Sequence, residues 1–245
     1  MKNKFNLWRL FLIGFTSGCF FLGHSISAFA HRDDYIDETL VYLTLEKKEI
    51  EPEYFFDFGH RSEDGSKIDF VRHNVALEYG ITDYCMVDGR LTIEKNHDES
   101  ADFQSGRLET RYRFFEEGEK PIDVAVSAEI NTQRNSEGDF QTAIEPRLIL
   151  SKDFDKLNFT LNLPVEIPFD SGSAEFIPSF GWRYNAGEVI RFGSEVKENT
   201  DTHEGSIIPQ IWFALPHETT IKIGYSFGFD KNDEDFLRIA VEGGF

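Results

Sequence analysis

From residue 52 to the carboxyl end, apolar and polar side chains alternate with period two, in runs closed by turn residues such as Gly, Asn, Asp and Pro. The pattern predicts twelve strands, at 52–61, 67–81, 84–96, 102–115, 121–134, 139–152, 156–168, 174–185, 188–199, 205–216, 219–230 and 234–245. The two faces are explicit. In 219–230, Ile221, Ile223, Tyr225, Phe227 and Phe229 oppose Lys222, Gly224, Ser226, Gly228 and Asp230. In 156–168, Phe159 and Leu161 lie on the face opposite Asn158, Thr160 and Asn162. The last strand sets Leu237, Ile239, Val241 and Phe245 against Arg238, Ala240 and Glu242. No stretch of this domain sustains a 3.6-residue period, so helix is not expected in it.

Such alternation suits a soluble sandwich with its apolar face inside, or a membrane barrel with its apolar face in lipid. Three features favour the barrel. Polar, acidic connections (Arg61–Lys67, Lys95–Ser100, Arg134–Asp139, Lys197–Gly205 and Asp230–Asp235) alternate with tight ones such as Thr82-Asp83 and Ala186-Gly187. Aromatic residues gather at two levels. Tyr79, Tyr84, Tyr112, Phe114, Trp182, Tyr184 and Phe213 fall near the turn ends, and Phe103, Phe140, Phe176 and Phe229 near the loop ends. The chain ends on Phe245, which resembles the carboxyl-terminal signature of bacterial outer-membrane barrels, though Gly243 stands where a bulkier residue is usual. The expected fold is all-β: a 12-stranded antiparallel up-and-down transmembrane β-barrel over 52–245. Phe245 is the assembly signature, engaging the outer-membrane assembly machinery through the last strand.

Residues 1–30 read as a secretory signal peptide: Lys2, Lys4 and Arg9, then an apolar stretch Leu10–Leu22, then Ala28-Phe29-Ala30 for cleavage. A competing reading lipidates Cys19, but Thr16-Ser17-Gly18 lacks the leucine expected three residues before it. Cleavage leaves Cys85 as the single cysteine, which rules out an intramolecular disulfide. The barrel would sit in the outer membrane against lipid and lipopolysaccharide, with both termini periplasmic. Residues 31–51 would form a periplasmic N-terminal extension, or a strand-like segment folded into the barrel mouth.

The net charge of −19 becomes −22 without the leader, which excludes a nucleic-acid binder. Taking the polar parity as inward, the charged lumen set is Arg72, Glu78, Asp88, Arg90, Glu94, Arg107, Glu109, Arg111, Arg113, Glu129, Glu145, Arg147, Glu166, Arg183, Arg191, Glu195, Lys222, Arg238 and Glu242. Ten bases meet nine acids, so a wall braced by cross-strand ion pairs is expected. Either these pairs only fill the inside or they line a narrow polar pore of weak intrinsic ion selectivity. The lipid-facing set includes Phe159, Leu161, Ile221, Ile223, Tyr225, Phe227, Ile239 and Val241. Most of the negative charge then falls on the loop rim and the N-terminal segment.

No cofactor or metal is expected. His97, Asp98 and Glu99, or Asp201, His203 and Glu204, have the residue types for a divalent cation, and His31 would be the first mature residue, but none completes a convincing site. The one G-x-S-x-G run, Gly224-Tyr225-Ser226-Phe227-Gly228, falls inside an alternating strand and not at the strand-to-helix turn that such a nucleophile needs, and His73 lies on the lipid-facing parity with no partner visible, so the chain is read as non-enzymatic. Oligomeric state is not encoded legibly.

Two sets of residues resemble known families. Asp37-Glu38-Thr39-Leu40-Val41 looks like the energy-coupling box of TonB-dependent receptors, whose 22 strands and plug domain this chain has no room for. Glu78-Tyr79-Gly80-Ile81-Thr82-Asp83 resembles outer-membrane transporters of the phenol-degradation meta-pathway. So do Ile190–Glu195, Ile208–Phe213 and Ile223–Gly228. That resemblance implies an outer-membrane barrel passing small organic molecules, and defines no binding residues. The sequence reading is thus a narrow passive channel for small polar or organic solutes. Its alternatives are an ion-pair-filled structural or adhesion barrel presenting acidic loops, and an outer-membrane enzyme.

Overall fold

The computed structural model describes residues 34–244 except 38, 64, 97–99, 136–137, 171–172 and 231–232. The leader, His31, Cys19, Phe245 and the His97-Asp98-Glu99 group lie outside the described residues. The strands are β1 (Ile50–Glu63), β2 (Ser66–Thr82), β3 (Cys85–Asn96), β4 (Asp102–Arg113), β5 (Asp123–Arg134), β6 (Phe140–Phe154), β7 (Leu157–Pro168), β8 (Glu175–Phe176), β9 (Ser179–Asn185), β10 (Ile190–Glu198), β11 (Gly205–Leu215), β12 (Thr219–Gly228) and β13 (Asp235–Gly243). Each pairs antiparallel with its neighbour, and β1 pairs with β13 from Glu53↔Glu242 to His60↔Asp235. The sheet therefore closes on itself, which removes both edges. Among the described residues there is no helix.

Twelve wall strands result, because β8 and β9 together occupy the single strand expected at 174–185. The break falls at Ile177-Pro178, where proline has no N–H to give the ladder. β7 pairs with β9 only from Leu157 to Asn162, and above that through the two rungs Val165↔Phe176 and Glu166↔Glu175. Two further expectations are corrected. The Arg61–Lys67 connection is mostly strand, since β1 and β2 run on to the Glu63↔Ser66 rung, and Gly65 turns the chain at φ 76°. Conversely, residues 114–122, between β4 and β5, form a connection on the otherwise tight rim.

The apolar parity faces outward. Leu108 is 62% exposed and Val75 57% exposed, and Tyr225, Phe227 and Val241 are exposed beside them. Phe159, Leu161, Ile221, Ile223 and Ile239 lie half-buried against neighbours on the same outer face. Tyr79, Tyr84, Tyr112 and Phe114 are exposed towards the rim where β1 begins, and Phe103, Phe140, Phe176 and Phe229 towards the loop rim.

The core lies in the lumen. Residues 34–49, which precede β1, enter from the rim where β1 begins and turn back on themselves, Tyr35 N–H donating to the Thr39 carbonyl. Tyr35, Leu40, Val41, Tyr42 and Leu43 pack with Ala125, Ile149 and Trp212 in one buried cluster. Ile36 joins Phe55, Phe70, Ala76, Ile208, Phe236 and Ala240 in a second. The segment is thus folded into the barrel mouth instead of extending beyond it.

Candidate functional site: the occupied lumen

The nineteen charged residues placed inward by parity lie buried or half-buried in the wall. Their pairing departs from expectation. Direct cross-strand neighbours of like charge run through six strands: Glu51↔Glu78, Glu78↔Asp88, Asp88↔Glu109, Glu109↔Glu129 and Glu129↔Glu145. Arg90 likewise faces Arg107. Like charges directly opposite repel, and here arginines two residues along a strand or diagonally across it compensate. Arg107 lies 4.0 Å from Asp88 and 3.6 Å from Glu129. Arg111 reaches Glu109 at 3.3 Å, Arg147 reaches Glu145, and Arg90 spans to Glu53 at 3.1 Å. Opposite charges do meet squarely at Asp57, which sequence reasoning missed. Arg238 donates to both its oxygens at 2.6 and 2.7 Å, and Arg72 stands 3.8 Å away. Arg72 and Arg61 also share Glu94. Asp57 escaped because Phe55 and Phe56 are adjacent in β1 and blur its parity.

The lumen then divides. Towards the loop rim a cavity of about 1430 Å³ is lined by eight cationic side chains and ten carboxylates, among them Arg72, Arg107, Glu129, Glu145 and Glu166. Its floor includes Asp37, Lys197 and Arg238. Below the floor the inserted segment fills the bore.

The wall holds that segment by its backbone. Gln210 Oε1 accepts from Ile36 N–H at 2.9 Å, and the Glu195 carboxylate accepts from Asp37 and Thr39 N–H at 2.9 and 3.0 Å. Asn162 accepts from Leu40 N–H and donates to Leu40 O, both at 2.9 Å. Arg111 donates to Val41 O and Leu43 O, Arg238 to Ile36 O and Lys222 to Asp34 O. Side-chain anchors add to these. Arg111 and Asp34 form a two-pronged pair, Thr39 Oγ1 donates to Ser179 Oγ at 3.0 Å, and the Tyr35 hydroxyl donates to Asn158. Asp37 meets Arg238 at 2.7 Å and Lys197 at 2.6 Å. Burial alone would raise the Asp37 pKa, but these two cations outweigh it and hold the carboxyl well below its usual range. Lys222 also pairs with Glu242.

Glycines open the room. A Cβ on Gly181 would lie 2.5 Å from Tyr35 Cζ, so only glycine lets that ring lie against the wall. Trp212, with no exposure at all, meets the Tyr35 ring edge-on at 5.8 Å. The sequence carried a signal for this seat. Ile149 and Trp212 sit on the inward parity inside the apolar triplets Leu148–Leu150 and Ile211–Phe213.

The remaining candidates separate. Arg113 donates to the Asp83 carbonyl and to Glu116 at the turn rim. Arg183 lies over Trp212, and Arg191 is buried opposite it in the ladder. His203 pairs with Glu198 at 2.9 Å. Among the described residues, the group of three carboxylates within ligand distance is Glu51, Glu53 and Glu242, not Asp201, His203 and Glu204. His73 faces outward as expected but has a partner, the Tyr54 hydroxyl at 2.6 Å.

Solved barrels share this architecture. The COG4313 outer membrane channel from Pseudomonas putida F1 matches at TM-score 0.59 and 12% identity, over 87% of this chain and 100% of that one. The KdgM porin matches at 0.56 and 9%, over 78% and 99%. Omp33 of Acinetobacter baumannii matches at 0.50 and 6%, over 81% and 99%. The fold is that of an outer-membrane β-barrel. At these identities the likeness concerns the fold. No family model matches the chain, and no curated protein matches it.

Proposed function

We propose that this barrel is a passive channel of the bacterial outer membrane for small solutes, with its termini on the periplasmic side, closed by its own residues 34–49. The observation that carries the reading is the divided lumen: a wide ionic vestibule at the loop rim, stopped by residues 34–37 and 39–43, whose backbone the wall bonds through side chains and does not take into the sheet, whereas Lys48 and Glu49 still bond the backbone of Gly80 in β2. A segment held that way can leave without breaking a strand ladder. The KdgM porin and the COG4313 channel share the architecture, and the meta-pathway resemblance points to small organic solutes among the cargo. A non-enzymatic role fits the outward placement of His73 against Tyr54 and Phe56.

The test fixes the segment in place. With Cys85 replaced by Ser, Thr39→Cys and Ser179→Cys introduce sulfurs where two hydroxyl oxygens now lie 3.0 Å apart. Oxidised protein in a planar bilayer should be nearly silent, and reduction should raise conductance several-fold. A well-folded protein that stays silent when reduced supports the filled structural barrel instead.

A further inference from the structure

The inserted segment is bound as a peptide ligand would be bound. Nine of its backbone groups (the N–H of 36, 37, 39 and 40, and the C=O of 34, 36, 40, 41 and 43) are bonded by six wall side chains drawn from β4, β7, β10, β11, β12 and β13. Side chains that bond a backbone read its amides, not its residue identities. Its apolar side chains enter a pocket against Ala125, Ile149 and Trp212, and its Asp37 carboxylate sits between Lys197 and Arg238, at the floor of the vestibule.

Withdrawal of the segment would leave this array without its amide partners, and buried polar groups stripped of partners are costly. Water could satisfy the polar atoms but not the apolar pocket beside them. An incoming peptide that takes the same turn would satisfy both. Trp212 Nε1 and Tyr42 Oη are buried and lack any acceptor or donor with the segment in place. The Trp212 donor belongs to the wall, so the seat offers one hydrogen bond more than its resident uses.

We infer that the resident segment is a stand-in for cargo, and that the channel's preferred solutes are short oligopeptides that turn about an acidic residue, its carboxylate leading, with apolar side chains behind it. The carboxylate would be captured first, by Lys197 and Arg238 at the vestibule floor, and the following amides would then exchange for those of the segment. This rests on the channel reading above.

The experiment uses the full chain in proteoliposomes and two probes: a hexapeptide with the sequence of residues 36–41, and the same peptide N-methylated at the amides of its Asp, Thr and Leu, with arabinose as a neutral reference. Methylation removes three donors and leaves charge almost unchanged. The unmodified peptide should enter at least about fivefold faster than the methylated one, and Glu195→Gln or Asn162→Ala should bring that ratio towards one. Because it is a ratio, it is insensitive to the amount of folded protein. Equal entry of both peptides alongside arabinose uptake overturns the inference and leaves the channel standing. No entry of arabinose or either peptide, with folded protein present, overturns both.

Discussion

Arg238 ties β13 to two parts of the chain far from it in sequence: Asp57 in β1, and Asp37 with the Ile36 carbonyl in the inserted segment. Each contact satisfies a group that burial would otherwise leave costly. Asp37 gives this arrangement a definite pH dependence. Its pKa is lower in the folded protein than in an unfolded chain, so its contribution is complete above the unfolded value of about 3.9 and is lost only as pH falls through the lower folded value. The difference in closed-state occupancy between the parent and Asp37→Asn should therefore stay constant from pH 8 down to about pH 5 in bilayer recordings, and shrink only in stronger acid. A difference that collapses between pH 7 and 5 would refute the assignment. Gly181 offers the converse test. Gly181→Val places carbon where the Tyr35 ring now lies. It should raise single-channel open probability several-fold while heat-modifiable gel migration, the sign of an intact barrel, persists.

The strands were legible because period two survives noise, and twelve runs with turn residues between them leave few alternatives. Boundaries were less so. The β1–β2 hairpin extends past Arg61 because Ser62, Glu63, Ser66 and Lys67 can pair beyond the membrane, where solvent tolerates a polar ladder. The inserted segment was the hardest element to foresee. Its contacts span more than a hundred residues, as Asn162 to Leu40 and Arg238 to Asp37 do, and no local pattern records such pairs. What the sequence did hold were inward apolar residues, among them Ala125, Ile149 and Trp212, on a face that is mostly polar. Parity picks out which charges share a face, yet it says nothing of register, and it was register that set carboxylate beside carboxylate. The outer face admits a direct prediction at this scale. Leu108 lies mid-strand and well exposed on the lipid side, so Leu108→Arg should cost about 2–4 kcal/mol of folding stability in vesicles. A cost near zero in a denaturant titration would mean that this face does not meet acyl chains.

Across the whole molecule, charge is segregated by level. The vestibule is close to balanced, with eight cations against ten carboxylates, whereas the chain carries −19, so the surplus lies outside it, in part on exposed loop residues such as Asp170, Asp201 and Asp230. Selectivity should then come from the rims. In the reduced form of the Thr39→Cys, Ser179→Cys, Cys85→Ser protein, or in Gly181→Val, reversal potentials should show a mild cation preference. That preference should fade between 0.1 and 1 M salt, as the screening length falls from about 10 Å to about 3 Å. Anion preference would contradict this distribution. Arg111 is not a simple probe of the pore wall, because it grips Asp34, Val41 and Leu43. Arg111→Glu would loosen the segment before it altered selectivity.

The joint between β1 and β13 lies immediately downstream of the inserted residues, and the two strands zip from Glu53↔Glu242 to His60↔Asp235. The filling and half of the final weld are thus neighbours along the polypeptide. Drawing the hoop shut brings the filling to the bore, so stoppering the conduit needs no long excursion of the backbone.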